Sequence, residues 1–394
     1  MNEQLDNKVH IREFNEDRDV EVVEKFERNC ETGFTKGISI STNMMGDPLC
    51  RIRLYPTHIM LVAELIENKE LVGVVRGTIK RVGTGCEGTY VNIGCILGLR
   101  VSPKHRRKGI GLKLVKALEC WAVENGAEYI CLATEESNVA STNLFVHKCD
   151  YVKLSSLVIL VQPIRYQAKE PSLNVRIEKL SVDQAISLYV DRVGRKAFYP
   201  GDMEVILNDK LSLGTWVSFL KEDDWIGLHN KEDNVFTNRT PSSWAILSLW
   251  KTCDAYKLQI RRKHPFKCFR ATLSHAGAKL LPCFKTTTCD LLYAPFGFLF
   301  IYGLYGEGEN LGELMKSLWW FACNLTRKVK DCKVIITELG VSDPVKEYIP
   351  KGPSNSSCIN DLWYFKKVNG PNDENGRWTM TQPITHLFVD PRDF

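Results

Sequence analysis

The chain has 394 residues, 44% of them hydrophobic and 25% charged, with a formal net charge of +5. That length exceeds what one hydrophobic core comfortably fills and suits two domains, and the composition is that of an ordinary soluble globular protein. So small a net charge gives no indication of direct DNA binding, no stretch approaches the ~20 apolar residues of a membrane span, and Met1–Asp6 lacks the basic and apolar regions of a secretory signal.

Val9–Phe14 alternates as a strand, and Val20, Val23 and Phe26 then recur at helical spacing. His58–Leu65 and Leu71–Lys80 are strands joined by the polar turn Glu67–Glu70, which makes a hairpin. Tyr90–Val101 is a further strand, stopped by Ser102-Pro103. Leu112–Glu124 is a helix with Leu114, Val115, Leu118 and Trp121 on one side. Glu128–Ala133 is a strand, Ser141–Lys148 a short helix, and Leu157–Gln162 a closing strand.

Pro163–Pro171 reads as a linker, after which the pattern restarts. Val175–Leu180 echoes residues 9–14, and Ala185, Leu188 and Tyr189 begin a helix. Ser243–Leu249 and Lys257–Ile260 are strands. Phe296–Gly303, Leu311–Thr326 and Cys332–Glu338 then repeat the strand, loop, helix, strand order of residues 90–133. The order fits a second, diverged copy of the first fold, or an unrelated α/β domain. The boundaries are thus 1–162, a linker at 163–171, and 172–394.

The fourteen cysteines are scattered, with no C-x-x-C pair, and several (Cys95, Cys120, Cys131, Cys332) fall inside apolar strand or helix patterns. They read as buried free thiols in a reducing compartment, cytosolic or nuclear, and their spacing gives no metal site. The run Arg261–His264 reads as a solvated loop, with a nuclear signal or a nucleic-acid contact as the alternatives.

The chemistry concentrates at Leu99-Arg100-Val101-Ser102-Pro103-Lys104-His105-Arg106-Arg107-Lys108-Gly109-Ile110-Gly111. A strand ends, five basic or imidazole side chains follow, then two glycines and a helix. A helix N-terminus presents unpaired N–H groups and the positive end of the dipole, glycine lets the backbone come close, and the basic residues add charge: together, a pyrophosphate cradle.

Arg106, Gly109 and Gly111 resemble the Arg/Gln-x-x-Gly-x-Gly/Ala signature of the GNAT acyltransferases, with a strand before, a helix after, and Asn138 ahead of a short helix. Asp47–Arg53, the segment Asn143–Tyr151 and the long second half resemble the HOOKLESS family of plant N-acetyltransferases. The resemblance implies an α/β (α+β) GNAT fold with a mixed central sheet flanked by helices, a second GNAT-like domain, and a nuclear enzyme linked to hormone-controlled growth and histone acetylation. It implies acetyl-CoA as cosubstrate, held by backbone groups of Leu99, Arg100 and Val101 and by Arg106, Arg107, Lys108, Gly109, Ile110, Gly111 and Asn138. An amine, such as a histone-tail lysine or a small molecule, would attack the thioester directly.

The catalytic groups are less plain. Counting back from Arg106 puts Cys95 where relatives carry a glutamate, and Phe145 or Val146 where they carry a proton-donating tyrosine. Glu135, Glu136 and Tyr151 are the remaining candidates, Tyr151 reading more readily as a packing aromatic and the two glutamates at least as readily as a solvated strand end. A non-catalytic acyl-CoA-binding protein is the alternative. In the second half, Leu304–Glu313 keeps glycines but carries three glutamates, which repel a pyrophosphate; that copy is not expected to bind CoA.

Overall fold

The computed structural model describes residues 8–30, 38–86, 88–164, 169–223, 225, 240–262, 294–350, 357–369 and 387–394. Lys263 and His264 of the basic run, and the middle of the expected linker, lie outside them. In chain order the elements are β1 (Val9–Glu13), α1 (Glu16–Asn29), β2 (Ile38–Asn43), β3 (Thr57–Leu65), β4 (Leu71–Gly83), β5 (Tyr90–Val101), α2 (Ile110–Glu124), β6 (Tyr129–Glu135), α3 (Val139–Cys149) and β7 (Val152–Pro163). They continue with β8 (Val175–Lys179), α4 (Val182–Arg192), α5 (Met203–Asn208), β9 (Ser212–Leu220), β10 (Trp244–Lys251), β11 (Lys257–Arg262), β12 (Gly297–Glu307), α6 (Leu311–Thr326), β13 (Cys332–Gly340) and β14 (Ser357–Lys367).

Twelve strands form one mixed sheet in the order β1-β3-β4-β5-β6-β14-β7-β13-β12-β10-β9-β8. The order reads the same from either edge once each first-half strand is matched to its second-half counterpart. β5 runs parallel to β6, and β12 parallel to β13, through equivalent registers. The expected repeat is therefore real, but the halves are not two separate sheets. β14, from the end of the chain, pairs antiparallel with β6, and β7 pairs antiparallel with β13. Each half closes its sheet with a strand of the other, and at the centre β14 lies against β7 with Asp361 opposite Leu157. The division at residues 163–171 cuts the chain without cutting the sheet.

Side chains alternate along the central strands, so one sequence serves both faces. On one face Leu362 and Tyr364 of β14 join Leu114, Val115 and Leu118 of α2, while α6 covers the second half with Leu314, Leu318 and Trp319. On the other face Trp363 and Phe365 join a core running across both halves, to which α4 gives Leu188 and Tyr189 and the C-terminal segment gives Phe388 and Val389. α1 packs Val23 and Phe26 against Met60, Val62 and Val74, and its Glu27 accepts from the buried Arg76 of β4 at 2.7 Å and 3.0 Å.

β2, α5, β9 and β14 fall where the periodicity reading places no element, and three further observations differ from it. β7 begins five residues earlier than expected, at Val152. β11 is not in the main sheet; it pairs with β2 in a separate two-stranded ribbon that ties the second half to the first. Cys120 is exposed on α2, on the side away from the apolar stripe, whereas Cys95, Cys131 and Cys332 are buried as expected.

Candidate active site

The cradle is built where β5 leaves the sheet. β5 pairs with β6 only over Ile93–Cys95, opposite Tyr129–Cys131, and then the two strands separate. Its other edge stays bonded to β4 but carries one extra residue, because Val74 faces Arg100 while Arg76 faces Leu97. Gly98 absorbs this bulge at φ +60°, and a Cβ there would come within 3.0 Å of the Arg76 guanidinium. The result is a bent strand whose edge toward β6 is free along Leu97–Val101, which is how an extended thioester arm can pair with backbone. Arg100 lies in this bend, its Nη1 donating to the Leu99 carbonyl at 3.4 Å; burial, opposed by Glu27, lowers its pKa.

Beyond Ser102 a single 3-10 turn, Pro103–His105, leads into Arg106, Arg107 (φ +63°) and Gly109 (φ +79°), which caps α2. The capping chemistry is unlike that of the other helices. α1 starts with the Asn15 side chain and three acidic residues, and α4 with a complete Ser181/Gln184 capping box. α2 has no side-chain cap and no acid in its first turn, so its leading N–H groups and dipole are left for an anion. A Cβ on Gly109 would meet nothing within 4 Å, which makes this turn an open cup. Arg106, Arg107 and Lys108 are exposed around it, Arg106 steadied by its Nε donating to the Val101 carbonyl at 3.2 Å. Gly111 faces inward, with Leu144 and Val101 at contact distance from a would-be Cβ.

The equivalent turn in the second half is closed. Gly303 repeats the bulge of Gly98 at φ +64°, with the register slipping between Ile246 and Ser248. The turn from β12 into α6 is shorter, however, and a Cβ on Gly308 would lie 2.3 Å from both the Ser242 carbonyl and the Ser243 hydroxyl. Ser243 Oγ accepts from the Asn310 N–H at 3.3 Å, Glu313 sits in the first turn of α6, and Tyr348 packs over Gly312.

Beside the bulge of the first half lies a cavity of about 270 Å³. Leu97 and Gly98 of β5 form one wall, Leu132 and Ala133 of β6 another, and Asp361 and Trp363 of β14 with Glu338 of β13 the far side. The C-terminal segment closes it with Val389, Asp393 and Phe394. That segment is pinned across the sheet: Asp393 accepts from the Tyr55 hydroxyl and the buried Lys80 ammonium, and Arg51 Nη2 donates to its carbonyl at 2.7 Å. Arg392 forks onto Asp202 at 2.7 Å and 2.8 Å, and Tyr256 donates to the Phe394 carbonyl at 2.8 Å. Burial opposes the Lys80 charge, but Asp393 together with Cys95, Asp390 and Cys131 outweighs it, and the pKa lies above the ordinary lysine value.

Two cavity carboxyls are strongly perturbed. Burial and then the facing Glu135 raise Asp361 to about 7. Burial and then Asp361 raise Glu338 well above the usual carboxyl range, although the Trp363 indole donates to it at 3.0 Å.

The sequence candidates fall in different places. Leu99 to Val101 and Arg106 to Gly111 come together as strand bend and cup. Asn138 caps α3, its side chain accepting from the Ser141 N–H at 3.2 Å. Glu136 is exposed and accepts from Asn360 Nδ2 at 2.8 Å. Glu135 stands opposite Asp361 on the β6–β14 ladder, with Oε1 buried and unpartnered. Tyr151 lies 1% exposed beneath α3, edge-on to Phe145 at 5.4 Å, on the other face of the sheet from the cavity, and burial raises its pKa. Cys95 lines the cavity with its Sγ 3.4 Å from that of Cys131. Asp361, Glu338 and Asp393 are not among the sequence candidates; the apolar and aromatic run Leu362 to Phe365 is the available signal for β14, and it shows a strand without showing its partners. Among the described residues no cluster suited to a metal ion occurs.

The pattern of the acetyltransferase (GNAT) family matches residues 34–151. The chain is 38% identical to the probable N-acetyltransferase HLS1 of Arabidopsis thaliana, covering 98% of this chain and 99% of that one. It is 30% identical to the acetyl transferase GW6a of Oryza sativa subsp. japonica, over 98% and 97% of the two chains. Saccharomyces cerevisiae N-myristoyltransferase with bound myristoyl-CoA shares the fold across both halves, with a TM-score of 0.53, 11% identity, and coverage of 91% of this chain and 79% of that chain. With an open cup at the start of α2, a bulged strand leading to it, and whole-length relatives of this kind, the chain belongs to the HOOKLESS-type GNAT acetyltransferases and is a transferase.

Proposed function

We propose that the protein transfers an acetyl group from acetyl-CoA to the amine of a protein lysine, a histone tail being the substrate class favoured. The reading rests on what the two ends of the bent stretch of β5 meet: its Leu97 and Gly98 line a cavity that carries carboxyls, and the turn after Val101 leads to a helix start with no side-chain cap and no acid. The cup suits the CoA pyrophosphate and the free edge of β5 its pantetheine arm. Backbone N–H at the Gly98–Leu99 bulge would stabilise the oxyanion. An acidic cavity favours an acceptor that arrives as an ammonium, and it weighs against a purely non-catalytic acyl-CoA-binding role. A volume of about 270 Å³, shared by acyl group and amine, suits a short acyl chain.

The second half, by this reading, does not bind CoA; its closed turn and Glu313 occupy the space and dipole that the first half leaves free. A nuclear location is part of the same proposal and goes with a histone acceptor. Calorimetric titration of acetyl-CoA followed by thiol release with a histone-tail peptide tests the reading. Binding with peptide-dependent thiol release supports it. Binding with release only for small amines would move the acceptor to that class, and absence of binding would overturn the cradle.

A further inference from the structure

An amine that attacks a thioester held at the Gly98–Leu99 bulge must stand in the cavity beside it, and it enters as an ammonium that has to lose a proton first. Neither β5 nor β6 supplies a base on that wall: the lining side chains there include Cys95, Leu97 and Leu132. The cavity's carboxyls come instead from strand β14, strand β13 and the C-terminal segment. Asp393 is engaged by Tyr55 and Lys80. Glu338 accepts the Trp363 indole N–H. Asp361 remains, 9% exposed, lining the cavity on the strand directly next to β6.

We propose that Asp361 is the proton acceptor for the incoming ammonium, so that the second half of the chain contributes a catalytic residue to the first half's site. The inference rests on the transfer reading above and specifies it. Asp361 carboxylate takes a proton from R–NH3+. The neutral amine forms a C–N bond with the thioester carbonyl, the C–S bond breaks, and the second amine proton passes to the departing thiolate. The products are the amide, CoA thiol and a protonated Asp361, which returns its proton to water. The groups facing Asp361 are Glu135 across β6, Glu338 on β13, and Asp393 and Arg51 around the cavity. Burial and Glu135 raise Asp361 to about 7, matched to a base that works near neutrality. The position is also where the halves differ: the pseudo-twofold axis passes between Asp361 and Leu157 and exchanges the two, so the second half carries leucine in the corresponding place.

The test compares wild type with Asp361→Asn and Asp361→Glu at saturating acetyl-CoA, reading thiol release with propylamine, with a histone-tail peptide, and with hydroxylamine, which is largely neutral at neutral pH and needs no base. A general base contributes typically ~10²–10⁴-fold. Asp361→Asn should therefore lose at least ~10²-fold with propylamine and peptide while keeping hydroxylamine turnover and acetyl-CoA affinity within about threefold. Wild-type kcat/KM should climb with pH through about 7 as Asp361 ionises, a limb absent in Asp361→Asn, with partial recovery in Asp361→Glu. Unchanged propylamine turnover in Asp361→Asn, an equal loss with all three amines, or a wild type active only on hydroxylamine would each overturn the assignment. Turnover of propylamine but not peptide would sink the histone reading and leave Asp361 standing. No wild-type release with any amine would bring down acetyl transfer, and this assignment with it.

Discussion

The two halves share a strand order, a bulge glycine and a helix, yet only one of them keeps an opening. At the first-half turn a Cβ on Gly109 meets nothing within 4 Å, whereas on Gly308 it meets Ser242 and Ser243 at 2.3 Å. The first helix starts without an acid and the second with Glu313. Opposite these turns, Asp361 and Leu157 occupy equivalent places on the central pair. The difference teaches that fold and site are separable: the backbone geometry of the bulge survives in both copies, while the space, charge and carboxyl needed for transfer persist in one.

The comparison is most easily broken by separating the halves. Because β14 lies between β6 and β7, and β13 on the far side of β7, residues 1–164 alone would leave one edge of β6 and both edges of β7 unpaired. We expect that fragment to lack a cooperative thermal transition by circular dichroism and to recover it on co-expression with residues 169–394. A folded, monomeric N-terminal fragment would show that the exchanged strands are dispensable.

Matched substitutions at the two turns should give opposite readouts. Gly308→Ala places a methyl against backbone and forces a side chain into φ +94°, so about 2–4 kcal/mol of stability should be lost by denaturant titration, with acetyl-CoA affinity unaltered in the folded protein. Gly109→Trp fills an open cup at φ +79°; affinity should fall by at least ~10²-fold, with a smaller cost in stability, of about 1 kcal/mol. Equal effects at both positions would contradict the assignment of one open and one closed turn.

A subtler contrast concerns Asp361. Its folded pKa, near 7, lies above the usual value, so the stability tied to its protonated form is complete below the unfolded pKa and is lost as pH rises through about 7. Asp361→Asn removes that dependence. The variant should melt higher than wild type at pH 8 and close to it at pH 5, while losing turnover. A lower melting temperature at pH 8 would mean the carboxylate is structurally needed there.

Local chemistry made the first-half turn readable. Arg106, Gly109 and Gly111 lie within six residues, between a strand and a helix with regular apolar spacing, and such signals need no knowledge of the rest of the chain. The three glutamates of the second turn were legible for the same reason, since Glu313 does fall in the first turn of α6. Tyr151 shows the limit. Its place in sequence leaves a proton donor open beside the favoured packing role, and its burial beneath α3, edge-on to Phe145 and on the face away from the cavity, is that of a packing aromatic.

The repeat of strand, turn, helix and strand, the basic glycine turn and its acidic counterpart are legible in the chain alone, because each is encoded in consecutive residues through periodicity, φ preference and charge. That β14 crosses into the first half, that Asp361 lines the same cavity as the bulge glycine, and that Asp393 closes that cavity against Lys80 and Tyr55 emerge from the folded chain alone. Strand pairing is set by hydrogen bonds and packing between segments more than two hundred residues apart in the chain. An alternating apolar run shows that a strand will form and bury one face, and leaves open which edge it will meet.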